Sequence, residues 1–400
     1  MPRRTGGFIG HRGLQAPDPP TAVTPTAGAA QVSVAFTAPS DVGDDAITAF
    51  VATTNDGFGA TGSSSPLTIT SLTNGTNYTV RVFAINDYGT SAPSDASDSF
   101  TPVANTALFG GGVDAAGNAV NRIDSVDIDT TGNATDHGDL TVARYFLAAL
   151  GSETRGVFAA GNDNGGSAQN IIDFVTFAST GNAQDFGDLG GSHRSSAATS
   201  SSTRGVIALG GATPTDTIEY ITIGSAGNAS DFGDLTLARS DLAAGASSAG
   251  RGFFAGGQNN SDPYYYNTID YITIGSTGNA TDFEDLSVSR TNCAGCASAT
   301  RGLIGGGLLI SGAKSDTIDY ITIGSTGNAT DFGNLSAGKR QPAAASSLTR
   351  GLFAGGLAGS TVDDIEYVTI GSTGNVTDFG NLIAVTRGMA GCSSAHGGLS

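Results

Sequence analysis

Thr317-Ile318-Asp319-Tyr320-Ile321-Thr322-Ile323-Gly324-Ser325-Thr326-Gly327-Asn328-Ala329-Thr330-Asp331-Phe332-Gly333-Asn334-Leu335 decides the fold of most of this 400-residue chain, because it recurs. Its Gly-Asn step returns at Asn133, Asn182, Asn228, Asn279, Asn328 and Asn375, at spacings of 49, 46, 51, 49 and 47 residues. A fixed period in this range marks a repeat architecture. The stretch Ile318 to Ile323 is β-branched and aromatic, which suits a pleated surface. The Gly-Ser-Thr-Gly-Asn cluster after it is turn chemistry, since Gly and Asn tolerate positive φ. Nothing in the repeats has an apolar stripe of helix length at 3.6 spacing. Each copy therefore predicts about four short strands with tight turns, the content of one propeller blade.

Upstream of this stretch stand Thr300-Arg301-Gly302-Leu303-Ile304-Gly305-Gly306-Gly307, and the double glycine recurs at Gly210-Gly211, Gly256-Gly257 and Gly355-Gly356. A first aromatic follows at Phe174, Tyr220, Tyr271, Tyr320 or Tyr367, and a second at Phe186, Phe232, Phe283, Phe332 or Phe379. This order of double glycine, two aromatics and an arginine resembles the kelch repeat. The first repeat departs with Ser125 and His137, and no Trp occurs in the chain. The resemblance implies a six-bladed kelch-like β-propeller over residues 104–400. The first repeat begins abruptly at Leu108-Phe109-Gly110-Gly111-Gly112, whereas Ala390-Gly391-Cys392-Ser393-Ser394-Ala395 matches Ala294 to Ala299. The C-terminal strand is thus expected to complete the first blade and remove an open sheet edge. Small-residue runs such as Ser196-Ala197-Ala198-Thr199 and Ala343-Ala344-Ala345-Ser346 are expected in the crowded innermost strands.

Residues 16–103 read as a separate β-sandwich. Val32, Val34 and Phe36 alternate, as do Ile47 and Val51 around Phe50, and Tyr78, Val80, Val82 and Ala84. Pro19-Pro20 opens the pattern, Leu72 to Val82 looks like a tyrosine-corner segment, and Asn86-Asp87-Tyr88-Gly89-Thr90-Ser91 closes it. The segment resembles a fibronectin type III domain, which implies a spacer or binding module. The fold class expected for the whole is all-β.

Thirty-six acidic residues stand against 18 basic ones, a net charge of −18. Such a balance argues against a nucleic-acid partner, which needs Lys and Arg clusters. No apolar run approaches ~18 residues, so membrane insertion is not expected. No secretory h-region follows Met1. Against this acidic body, residues 1–15 carry Arg3, Arg4, His11 and Arg12 without an acid. They read either as a loose terminus or as a docking arm, with Arg3, Arg4 and Arg12 its contacts.

Catalytic and metal readings find no residues to rest on. The four histidines have no metal-ligand spacing, and Cys293-Ala294-Gly295-Cys296 has no second pair to complete a zinc site. These cysteines stand where other repeats carry small residues, so packing is the expected role. An acid precedes the first-aromatic position in every repeat, Asp124 standing before Ser125 in the first, and an arginine precedes glycine in five. Equal occurrence suits a structural ion pair, expected between Arg301 and Asp319 and between Arg251 and Asp270, because a catalytic site needs a unique constellation. No cofactor is expected.

What varies is the loop after the double glycine, longest at Gln258 to Asn267, where it contains Tyr264-Tyr265-Tyr266. Variable loops of repeat folds often form the binding face, and tyrosines anchor ligands well. These tyrosines are the candidate ligand-binding residues, with gap filling as the alternative. Repeats worded like Ile-Thr-Ile-Gly-Ser-Thr-Gly-Asn-Ala-Thr-Asp-Phe-Gly resemble those of virion structural proteins of tailed phages, notably marine cyanophages. The resemblance implies a non-enzymatic virion protein on the particle surface, a tail fibre or capsid appendage. Its partners would be other virion proteins, held by the arm, and a host-surface glycan, and it could form oligomers through the arm or particle symmetry. A bacterial surface adhesin or polysaccharide-binding protein is the alternative, and a divergent propeller hydrolase a third class.

Overall fold

A computed structural model describes residues 15–247, 250–261 and 264–398. The chain divides into two compact units between Ala104 and Asn105, and the described residues contain strands and no helix.

In the N-terminal unit, Thr21–Gly28, Gln31–Thr37 and Leu67–Thr70 form one antiparallel sheet. Gly59–Gly62, Ala49–Thr54, Val80–Asn86 and Gly89–Thr90 form another, in that order. Val32, Val34, Phe36, Tyr78, Val80, Val82 and Ala84 point into one core, as their alternation predicts. Ile47 packs against this core, but the expected Val51 needs correction: Phe50, Ala52 and Thr54 are the buried positions of Ala49–Thr54, and Val51 lies on the other face. A period of two leaves only the parity to be decided, and Phe50 decides it by packing at 4.9 Å on Phe36. Tyr78 Oη accepts the Thr73 amide at 3.1 Å, the corner expected from the segment.

The free edge of Val80–Asn86 is closed by an irregular segment rather than a long strand. Ser91, Ser94 and Ser97 recur every third residue, which is the polyproline II period. Each donates its amide to the carbonyl of Ala84, Val82 or Val80, and accepts the amide of the same residue on its Oγ. Serine hydroxyls thereby replace the carbonyls that a regular partner strand would present.

The second unit contains six four-stranded antiparallel sheets, one per repeat. In the clearest, Ala294–Ala297, Arg301–Gly305, Thr317–Thr322 and Thr330–Asn334 pair in sequence order. Burial falls along that order, from four buried residues in Ala294–Ala297 to a largely exposed outer strand. The inner strands are Ala390–Ser393, Ala148–Gly151, Ala197–Ser200, Ala243–Ser247, Ala294–Ala297 and Ala343–Ser346. Each lies beside the next in that order, and Ala343–Ser346 lies beside Ala390–Ser393 again. Small residues permit this approach: a Cβ on Gly391 would stand 2.3 Å from the Ala344 carbonyl oxygen. Ala390–Ser393 pairs with Thr106–Gly110, Ala390 opposite Gly110, so the chain's last strand completes the sheet of its first repeat.

The repeated Gly-Asn step links neighbouring sheets. Asn328 Oδ1 accepts the Asp285 amide at 3.2 Å, and Gly327 donates to the Phe283 carbonyl. The same bonds recur in every repeat, and Asn133 of the first receives the Asn381 amide of the last at 3.0 Å. Five of the six outer strands place glycine where the neighbouring turn crosses; at Gly333 (φ +150°) a Cβ would meet the Gly374 carbonyl at 2.3 Å. The exception is Glu284, held at φ +109°.

Candidate functional site

The acid of each repeat is consumed in the scaffold, but not by the expected arginine. Asp319 is fully buried and pairs with Arg290 Nη2 at 2.9 Å, and Asp270 with Arg239 Nη2 at 2.8 Å. Arg144 holds Asp173 in the same way, and Lys339 bridges Glu366 and Asp364. In the first repeat Arg122 reaches Asp124 from two residues away on the same strand. Burial pulls Arg144 and Arg239 below the usual guanidinium range, opposed by their carboxylate partners.

The arginines before glycine do other work. The Arg301 guanidinium lies 4.8 Å from the Tyr320 ring centre and donates to the Ile370 carbonyl of the next sheet at 3.1 Å. Arg251 lies 4.6 Å from the Tyr271 ring and donates to the Ile323 carbonyl. Tyr320 in turn meets Phe332 edge-on at 6.1 Å, so the two aromatics and the arginine of a repeat form one stack. The first repeat lacks this stack: Ser125 and His137 stand at the aromatic positions, and Thr106 where the arginine falls. Cys293 is buried just before the inner strand Ala294–Ala297 and Cys296 within it, and burial pushes their thiols up to about 11 and about 12. They stay protonated at neutral pH and act as small packing residues.

A feature with no obvious sequence signature sits at one end of the inner strands. Phe146, Ser195, Asp241, Asn292, Gln341 and Gly388 occupy equivalent places, one per sheet, two residues after the position that holds Arg144, Arg239, Arg290 or Lys339. All six have left-handed backbone, with φ between +51° and +63°. Their amides form a cycle: Ser195 donates to the Phe146 carbonyl (2.8 Å), Asp241 to Ser195, Asn292 to Asp241, Gln341 to Asn292, Gly388 to Gln341, and Phe146 to Gly388 (2.7 Å). The backbone is the same six times while the side chains differ.

A cavity of about 250 Å³ opens beside this ring, lined by Arg194, Asp241, Gln258, Asn260, Asn292 and Gln341 among others. Asp241 Oδ2 accepts Gln258 Nε2 at 2.7 Å, and burial pushes its carboxyl above the usual range. Gln341 Nε2 lies 3.4 Å from Asn292 Oδ1. Gln258 and Asn260 come from the long loop, whose Asn260 also donates to the Ala212 carbonyl across the neighbouring repeat.

The three candidate tyrosines belong to that loop but not to one surface. Tyr264 is 53% exposed, while Tyr265 and Tyr266 are half-buried. Tyr265 bridges Gln258 through the backbone, and Tyr266 Oη accepts a hydrogen bond from Asn259 Nδ2. Tyr265 and Tyr266 thus shape the loop, and Tyr264 alone presents its ring. Arg3, Arg4 and Arg12 lie outside the described residues. Among the described residues no group of three or more His, Cys, Asp or Glu is placed to hold a metal ion.

Comparison with known proteins places one part of the chain. Residues 17–100 match the fibronectin type III domain family, so the N-terminal sandwich is a fibronectin type III domain. No curated protein matches the chain.

Proposed function

We propose that this chain is a non-enzymatic structural protein of a tailed-phage virion, a tail fibre or capsid-surface appendage, that binds a host-surface glycan. In this reading the six sheets form one kelch-like β-propeller, closed by Ala390–Ser393. The cyclic order of the inner strands and the ring of amides support that closure. Arg3, Arg4 and Arg12 dock the arm to the particle, the fibronectin type III domain acts as spacer, and the propeller faces the host.

One observation carries the binding role. The charged groups common to the repeats are spent on buried pairs and on contacts to backbone amides and carbonyls, Glu219 accepting the Gly190 amide, whereas non-repeated polar side chains gather at the ring and the long loop. A scaffold that keeps its variation in one place is built for recognition rather than for chemistry. The presence of a fibronectin type III domain favours a bacterial surface adhesin as the second reading. Imaging of purified particles with an antibody against residues 105–400 separates the two: decoration of virions is expected, and labelling of uninfected cells alone overturns the phage assignment.

Within the loop, Tyr264→Ala removes the exposed ring without touching the Tyr266–Asn259 bond. A true anchor costs ~2 kcal/mol or more, about thirtyfold in affinity. Binding of the full chain to host-envelope polysaccharide is the measurement, and an unchanged affinity removes Tyr264 from the site.

A further inference from the structure

We infer that five residues of the ring, Phe146, Ser195, Asp241, Asn292 and Gln341, form the floor of a pocket for one neutral saccharide ring. The inference rests on the reading of this unit as a surface-binding module and names its ligand class and its specificity-determining residues.

The backbone at these places strongly favours glycine. Left-handed φ is unfavourable for most L-residues, and non-glycine residues held there persist where the surroundings impose them, often at functional sites. Gly388 shows that glycine fits the ring; it also makes room for its neighbour, since a Cβ there would lie 2.9 Å from the Phe146 ring. Yet the other five places carry Phe, Ser, Asp, Asn and Gln, no two alike. Folding alone accounts for the repeated backbone and not for five different side chains on it.

The chemistry of those side chains selects the ligand. Asn292, Gln341, Gln258 and Asn260 each offer a donor and an acceptor, and Asp241 offers acceptors. Vicinal hydroxyls need that mixture, because each donates once and accepts as well. Phe146 lines the same cavity and supplies an apolar surface for the C–H face of a pyranose. The groups are preorganised: Gln258 already holds Asp241 at 2.7 Å, and the ring amides fix the backbone. One arginine, Arg194, faces the cavity, offset by the Asp241 carboxylate. With a net charge of −18 on the chain, an acidic sugar is disfavoured. The volume of about 250 Å³ lies below the ~300–1,000 Å³ of drug-sized sites and suits a single ring better than an extended peptide.

The test uses the full chain and two variants, Asn292→Gly/Gln341→Gly and Asp241→Asn. The probes are methyl glycosides of neutral hexoses, N-acetylhexosamines and hexuronates, followed by saturation-transfer NMR and titration calorimetry. The parent is expected to bind a neutral glycoside at millimolar concentration, and hexuronates at least about tenfold more weakly, ~1.4 kcal/mol. The double glycine variant is expected to melt no lower than the parent, having lost strain, while its affinity falls about tenfold or more. Asp241→Asn keeps the shape and is expected to narrow the preference against hexuronates. Affinities within twofold of the parent in both variants overturn the pocket. So does a double glycine variant that melts several degrees lower, because the side chains would then serve the fold. Host-envelope polysaccharide is run in parallel. If the parent binds it and the variants bind it equally, the pocket fails and the surface-binding reading stands. If the parent binds neither polysaccharide nor glycoside, both fail.

Discussion

Replacing Arg290 by Met tests the buried pairs most directly. Arg290 and Asp319 are 1% and 0% exposed, and the carboxylate otherwise receives only the amide and hydroxyl of Ser287. Removing the cation leaves an unpaired buried charge, which costs ~3–5 kcal/mol. It also leaves the Ile304, Gly306 and Thr317 carbonyls without the donors that Arg290 supplies. For a unit spanning Asn105–Ser400, the unfolding entropy is about 0.6 kcal/mol/K, so the melting temperature should fall by roughly 5–8 °C. Arg301→Ala is the contrast. It loses one cation–π contact, ~0.5–1 kcal/mol, and one carbonyl hydrogen bond of about 1 kcal/mol, which together correspond to roughly 2–3 °C. Arg290→Met/Asp319→Asn should recover part of the loss, since no uncompensated charge remains. Calorimetry of the full chain reads all three. An Arg301→Ala variant less stable than Arg290→Met would refute the reasoning.

Three further outcomes are expected. Glu284→Gly should stabilise by about 1 kcal/mol, because Glu284 stands at φ +109° where five repeats have glycine, and its neighbour's Gly327–Phe283 bond is stretched to 3.1 Å against 2.7–2.8 Å elsewhere; a lower melting temperature would contradict this. Truncation before Met389 should expose the edge of Thr106–Gly110 and cause association, so a monodisperse truncated chain in analytical ultracentrifugation would count against closure. Burial holds His396 near about 4, below its usual 6.5, beside Ser200 and the Gly151 carbonyl. The unfolded chain then binds the extra proton between these values, so stability present above pH 6.5 is lost on acidification toward 4, by up to ~1.4 kcal/mol per pH unit. His396→Gln should flatten that part of the denaturation profile relative to the parent, and identical profiles would remove His396 from the account.

Period, strand content and domain division are all properties of local sequence. A Gly-Asn turn after a β-branched run has the same meaning wherever it occurs, so the six copies could be counted, and the alternation Val80, Val82 and Ala84 could be assigned to a core, before any coordinates. The partner of each acid could not. Arg301 and Arg290 are both arginines near the same repeat boundary, 11 residues apart. Only the packing of the inner strands shows that the residue two places before the left-handed turn points inward, while the one before glycine lies over an aromatic ring. The ring itself was invisible for a related reason. Phe146, Ser195, Asp241, Asn292, Gln341 and Gly388 share no chemistry, and a pattern search looks for side chains. What unites them is a backbone angle and a cycle of amides from six sheets, and both exist only once residues some 50 positions apart in sequence have been brought together.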